Sequence, residues 1–196
     1  MFFKGKPKYT YLLIGLGNYG DKYEATRHNV GFRTVDIIAE TIGVTAWKNK
    51  HKSLVAEGDI KGNKVLLVKP LTYMNKSGEA VSEIIKFYKL PVNSIIVISD
   101  DVSMDVGRLR IRANGSHGGH NGLRDIIELL GSSDFTRIKV GVGQKPHPDY
   151  DLADWVLGKP QGDDLKTLTE TEKLAADAAI FAVTNGISST MNKFNR

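Results

Sequence analysis

The chain has 196 residues, 41% apolar and 25% charged, which is a globular rather than a disordered composition. It contains no Cys, so disulfides, thiolate metal sites and cysteine nucleophiles are excluded. Lys and Arg total 27 against 22 Asp and Glu, and the resulting +5 permits a polyanionic partner without requiring one. No apolar run approaches the length of a membrane span. The first residues, Met1-Phe2-Phe3-Lys4-Gly5-Lys6, lack a long apolar stretch ahead of a small-residue cleavage site. A cytoplasmic protein with no membrane association is the expectation.

The length favours one domain over residues 1–196. No repeat, low-complexity stretch or Pro/Gly/Ser linker divides it. Tyr9 to Gly15 reads as a buried strand, short, apolar and ended by Gly. Gly17 to His28 is a loop. Asn29 then has the character of a cap for a helix to about Ile42, with Phe32, Val35, Ile38, Ala39 and Ile42 on one stripe and Gly43 as the stop. Leu54 to Ile60 and Lys64 to Val68 flank Lys61-Gly62-Asn63 as a hairpin. A helix from about Gly78 to Tyr88 carries Val81, Ile84, Ile85 and Tyr88 inward.

Ile95 to Ser99 is the continuous apolar run of a strand covered on both faces. Arg108 to Arg112 alternates, the pattern of a half-exposed strand. A Gly-rich loop from Asn114 to Gly122 leads into a short helix from Leu123 to Leu130, and Ile138, Val140 and Val142 mark another strand. Asp164 to Asn185 is a long amphipathic helix ended by Gly186. Strands interleaved with helices predict a three-layer α/β/α sandwich, and the hairpin makes its twisted central sheet mixed.

Two motifs point away from the final reading. Gly15-Leu16-Gly17-Asn18-Tyr19-Gly20 matches the G-x-G-x-x-G dinucleotide fingerprint after a strand. The fingerprint also needs a helix at its third Gly and a second strand ending in an acid about 20 residues on. Here the acids at that distance, Asp36 and Glu40, lie inside a helical pattern. His117-Gly118-Gly119-His120 lacks the i, i+4 spacing of a helical metal pair and has no third ligand beside it in sequence. No metal and no cofactor is expected.

What remains is a set of polar residues at predicted strand-to-helix edges, where open α/β sheets place ligands. Asn18 follows the first strand, Tyr73-Met74-Asn75 the hairpin, Asp100-Asp101 the apolar strand, and His120-Asn121 closes the second Gly-rich loop. His28 stands in Thr26-Arg27-His28-Asn29, where a loop meets a helix. Together they supply a base, an acid to orient it and carboxamides to donate to developing negative charge. Arg108, Arg110 and Arg112 share one face of their strand, and Arg geometry favours phosphate there.

These segments resemble the bacterial peptidyl-tRNA hydrolase family across nearly the whole chain. The carriers are Gly15-Leu16-Gly17-Asn18, the stretch Tyr23-Glu24-Ala25-Thr26-Arg27-His28-Asn29-Val30-Gly31, Lys69-Pro70-Leu71-Thr72-Tyr73-Met74-Asn75-Lys76-Ser77-Gly78, and Gly115-Ser116-His117-Gly118-Gly119-His120-Asn121-Gly122-Leu123. The resemblance implies hydrolysis of the ester between a peptide and the 3′-terminal ribose of tRNA, by a monomer and without metal. It implies that His28 is the catalytic histidine, Asp100 the acid orienting it, and Asn18 the amide near the scissile ester. Asn75 and Asn121 match amides that bind the peptide backbone and the 3′ end. Tyr23 and Tyr73 match aromatic positions lining the substrate site. Arg110, Arg112 and Lys139 match basic positions contacting tRNA phosphates.

Two positions depart from the pattern. Tyr19 stands where the family usually has Pro, which makes the Asn18 loop less preset. Ser103 replaces a later acid after the central strand. Lys145-Pro146-His147-Pro148 reads as a mobile loop near the site. A non-enzymatic RNA-binding relative of the same fold is the alternative, and loss of His28 or Asp100 would be its mark.

Overall fold

The computed structural model describes residues 7–195, so the reading of Met1 to Lys6 lies outside the described residues. The strands are β1 (Tyr11–Gly15), β2 (Lys48–Lys50), β3 (Ser53–Ile60), β4 (Asn63–Pro70), β5 (Ile95–Asp101), β6 (Leu109–Arg112) and β7 (Thr136–Gly141). They form one sheet in the order β2-β3-β4-β1-β5-β7-β6. The inner strands β4, β1, β5 and β7 run parallel, and the β2–β3, β3–β4 and β6–β7 pairs are antiparallel. The sheet is mixed, as the hairpin predicts.

Helices α1 (Val30–Thr41) and α5 (Gly162–Asn185) cover one face. Val35 and Ile38 of α1 and Ala175 and Ala179 of α5 meet Leu13, Ile96, Ile98 and Ile138 there. Helices α2 (Ser77–Tyr88) and α3 (Asn121–Leu130) cover the other face, with Val81, Ile84, Leu123 and Ile126 against Leu12, Ile14, Leu66 and Val97. Adjacent residues of β1 and β5 thus feed opposite cores, which is why both strands read as unbroken apolar runs. The three-layer sandwich is the architecture predicted.

Three elements escape the sequence patterns. The edge strand β2 is Lys48-Asn49-Lys50, fully exposed, and is a strand only because it pairs with β3. Helix α4 (Leu152–Leu157) has six residues, too few for a period, and is started by the Asp151 carboxylate accepting from the N–H groups of Ala153 and Asp154. Helix α6 (Ile187–Phe194) follows at once after Gly186, which ends α5 at φ 82°. Asn29 is not the helix cap that its sequence predicts. It precedes α1, but its side chain makes no cap hydrogen bond. Its Oδ1 instead accepts from the Asn18 N–H at 2.8 Å, and its Nδ2 donates to the Asn18 carbonyl at 2.8 Å.

Two glycines position the functional end of the sheet. A Cβ on Gly15 would lie 2.1 Å from the Gly31 carbonyl oxygen, and one on Gly31 would lie 2.4 Å from the Leu16 backbone. The first turn of α1 therefore rests directly on the end of β1, with no side chain between them. Gly17 is filled likewise by the Phe32 ring, 2.7 Å from where its Cβ would be. After Gly20 comes a 3-10 turn, Asp21–Tyr23, rather than a helix. The glycines of the apparent fingerprint serve the packing of α1 and a turn, which removes the dinucleotide reading.

Candidate active site

The parallel strands end in a cleft of about 560 Å³. Its walls come from the β1 loop (Asn18), the turn carrying His28, the segment before α2 (Met74, Asn75), the end of β5 (Asp100, Asp101), the Gly-rich loop before α3 (His117 to Asn121), Lys139 of β7 and the residues of α4.

Asp100 is the penultimate residue of β5 and is only 4% exposed. One of its oxygens, Oδ1, accepts from two imidazoles, His28 Nδ1 at 2.8 Å and His120 Nε2 at 2.9 Å. A buried carboxylate is costly unless paired, and these two donors supply the pairing. Burial would raise the Asp100 carboxyl, but the two facing imidazoles outweigh it and hold it far below the usual carboxylate range. Burial likewise pulls His28 down, and the charge and hydrogen bond of Asp100 overcome this and set it above the ordinary histidine value.

The tautomers follow from these partners. His120 Nδ1 accepts from the Leu123 N–H at the start of α3, so its Nε2 carries the hydrogen given to Asp100. His28 gives its Nδ1 hydrogen to Asp100, which leaves Nε2 as the acceptor nitrogen. The His28 and His120 rings lie 5.1 Å apart. In the sequence His120 stands beside Asn121, with nothing nearby to link it to Asp100. The available signal was its place immediately before an amphipathic helix, where an imidazole can act as a cap.

Asn18 is held at both ends. Asn29 grips its backbone, and its own Oδ1 accepts from the Met74 N–H at 2.8 Å. The oxygen is therefore spent, and the amide offers its NH₂ group. Tyr73 makes this possible with a backbone at φ 56° and ψ 162°, a conformation costing about 1–3 kcal/mol in a non-Gly residue. Asn75 and Asn121 also border the cleft, both exposed.

Of the remaining expected residues, all but Lys139 lie outside the cleft walls. Tyr23 and Tyr73 sit outside the cleft walls as part of a rim cluster, 6.5 Å apart, and Tyr19 joins it 6.4 Å from Tyr73. The residue in the Pro position thus extends an aromatic rim. Arg110 and Arg112 are exposed on β6, opposite Lys139 and Arg137 of β7, so all four share one sheet face. Lys139 alone of the three expected phosphate contacts reaches the cleft, and its Nζ donates to Asp101 at 2.9 Å. Ser103, the second departure, donates its N–H and its hydroxyl to the other oxygen of Asp101 at 2.8 and 2.6 Å. Lys145 bonds the carbonyls of Pro148 and Tyr150, and its loop does not border the cleft.

Among the described residues, His28, Asp100 and His120 are the one group of three whose ligand atoms converge, all within 4.8 Å. Their facing atoms are already joined by hydrogen bonds through Asp100. The arrangement is an imidazole–carboxylate couple open to a cleft, the equipment of general acid–base chemistry on an α/β fold. No helix among the described residues is long and apolar enough to cross a membrane.

Comparison with known proteins agrees with that class. The family described as Peptidyl-tRNA hydrolase matches residues 12–196. The peptidyl-tRNA hydrolase of Lachnospira eligens is 51% identical over 185 residues, covering 94% of this chain and 99% of the relative. That of a Thermoanaerobacter species is 49% identical with the same coverage. The crystal structure of the Acinetobacter baumannii peptidyl-tRNA hydrolase superposes with a TM-score of 0.89 at 34% identity, over 94% of each chain. The chain belongs to the peptidyl-tRNA hydrolase family.

Proposed function

We propose that this chain hydrolyses the ester joining a peptide, or an N-blocked aminoacyl group, to the 3′-terminal ribose of tRNA, and so returns tRNA from prematurely released peptidyl-tRNA. The observation that carries the reading is the 2.8 Å bond from His28 to the buried Asp100 at the edge of an Asn-bordered cleft. His28 Nε2 takes a proton from water as the water oxygen attacks the ester carbonyl. The imidazolium then returns the proton to the departing ribose oxygen, giving a free acyl acid and tRNA. Asp100 holds the ring and stabilises its charged form, as the acid of a triad does. His120, on the same oxygen, keeps Asp100 in place.

Asn18 presents its NH₂ to the developing oxyanion, a contribution typically worth ~10²–10³ in rate. Asn75 and Asn121 bind the acyl backbone and the 3′ end, and Tyr23 and Tyr73 flank the bound substrate. Arg110, Arg112 and Lys139 take tRNA phosphates. An ester is an activated acyl compound, so the chemistry runs without metal. The protein works as a cytoplasmic monomer of one domain. A non-enzymatic RNA-binding role finds no support in a site that keeps both His28 and Asp100.

The test is release of N-acetylated amino acid from charged tRNA. His28→Ala is expected to bind tRNA as the parent does and to lose at least the ~10²–10⁴-fold share of a general base. Chelator is expected to leave the parent rate on a short N-blocked aminoacyl oligonucleotide unchanged. Normal turnover by His28→Ala overturns the assignment.

A further inference from the structure

The turn that presents His28 is fastened to the far wall of the cleft by an arginine that has no ion-pair partner among the described residues. Arg27 is 7% exposed. Its guanidinium carbon lies 3.7 Å from the centre of the Trp155 ring, inside α4. The stack is supported by backbone, because the Arg27 N–H donates to the Gly158 carbonyl just beyond α4 at 3.1 Å. The acidic groups that face Arg27 are Asp164 of α5 and Tyr150, neither in contact as a salt bridge.

Trp155 is pinned on its other side as well. Its Nε1–H donates to the Gly143 carbonyl at 2.8 Å, and the Gly143 N–H donates to Met104 beyond β5 at 3.0 Å. Leu152, Ala153, Val156 and Leu157, the neighbours of Trp155 in α4, form the apolar wall of the cleft. A six-residue helix has little stability of its own. Its position is therefore set by what holds it, and the Arg27 stack is its link to the catalytic turn.

We propose that Arg27 and Trp155 form a positioning couple, which fixes His28 relative to the apolar wall of the cleft. Arg27 touches neither substrate nor reacting atoms; it acts through the His28 backbone and through α4. Arg suits the role because its planar, weakly hydrated cation stacks on indole when buried, which a Lys ammonium does less well. The couple predicts that loosening the wall turns the His28 ring away from Asp100, even though no side chain of the acid–base pair has changed.

The inference rests on the proposed hydrolysis only for its turnover readout, and the experiment separates the two. Arg27→Met, Arg27→Lys, Trp155→Leu and Trp155→Phe are made in the full chain, and each fold is checked by circular dichroism. His28 is followed by imidazole NMR titration, a readout that needs no turnover; the groups facing it are Asp100 and His120. In Arg27→Met and Trp155→Leu the His28 midpoint is expected to fall from its parent value. Arg27→Lys falls between, and Trp155→Phe stays near the parent.

With N-acetylaminoacyl-tRNA, kcat is expected to drop about 10- to 100-fold in Arg27→Met and Trp155→Leu, the scale of a small misplacement of a reacting group. KM should move far less. The double variant Arg27→Met/Trp155→Leu should be no worse than the poorer single one, because both changes remove one interaction. A folded Arg27→Met with parental His28 titration and kcat overturns the couple, as do additive losses in the double variant. If Arg27→Met does not fold, Trp155→Leu and its rescue by Trp155→Phe decide alone. A parent chain that releases no acyl acid overturns the proposed function, while the titration still judges the couple.

Discussion

One carboxylate oxygen organises the reactive centre. Asp100 Oδ1 receives both His28 Nδ1 and His120 Nε2, so each imidazole has its tautomer set before substrate arrives. The pH dependence follows in sign. His28 must be unprotonated to act as a base, and Asp100 raises its pKa, so the acid limb of kcat/KM is expected above the ordinary histidine value of about 6.5. Asp100→Asn removes the charge and leaves burial, which lowers His28. Its acid limb should move down in pH while kcat falls, by up to the ~10⁴-fold seen when the analogous acid of a triad is made an amide. A pH–rate profile of that variant checks both. A limb that stays in place means that Asp100 does not set the His28 titration.

At the scale of elements, the short distances depend on how closely α1 approaches the sheet. His28 lies in the 3-10 turn that leads directly into α1 and Asp100 lies next to the end of β5, so they meet only because Gly31 lets α1 lie on the backbones of Leu16 and Ile98. A methyl group at Gly31 would stand 2.4 Å from Leu16 and 2.5 Å from the Ile98 carbonyl oxygen. Gly31→Ala is therefore expected to lift the start of α1, costing about 1–3 kcal/mol or more as overpacking and separating His28 from Asp100. Thermal melting and turnover should both fall. Full activity with an unchanged Tm counts against the close approach. From the other side, Arg33 of α1 donates to the carbonyls of Glu24 and Thr26 at 2.6 and 2.8 Å and pairs with Glu172 of α5. Two helices thus hold the loop ahead of His28.

At the scale of the molecule, cleft and basic face lie side by side across β5, β7 and β6. Lys139 belongs to both, because it borders the cleft and stands opposite Arg110. A long polyanion could reach from one to the other, its phosphates on β6 and its end in the cleft. Arg110→Ala and Arg112→Ala are each expected to weaken tRNA binding and to reduce the slope of log K against log salt by about 0.9, with kcat little changed. Binding titrations at several salt concentrations measure this. A slope equal to the parent's removes these residues from the phosphate interface.

The amino-acid order was enough for the three-layer plan, the mixed sheet and the family, because these depend on apolar periodicity and contiguous motifs, both properties of neighbours along the chain. It also marked Asn18, Asn75 and Asp100 as polar residues at strand-to-helix edges, His28 where a loop meets a helix, and Asn121 at the close of a Gly-rich loop. It was silent on β2, whose lysines become a strand only by pairing with β3, and on α4, too short to show a period. It misjudged Asn29, which suits a cap but finds the Asn18 backbone nearer. Tertiary structure alone decided that His120 shares Asp100 with His28 and that Arg27 stacks on Trp155. The physical reason is common to both. Hydrogen bonds and stacking act over a few ångströms, and for His120 and Arg27 packing had to bring together groups 20 and 128 residues apart before chemistry could choose between them.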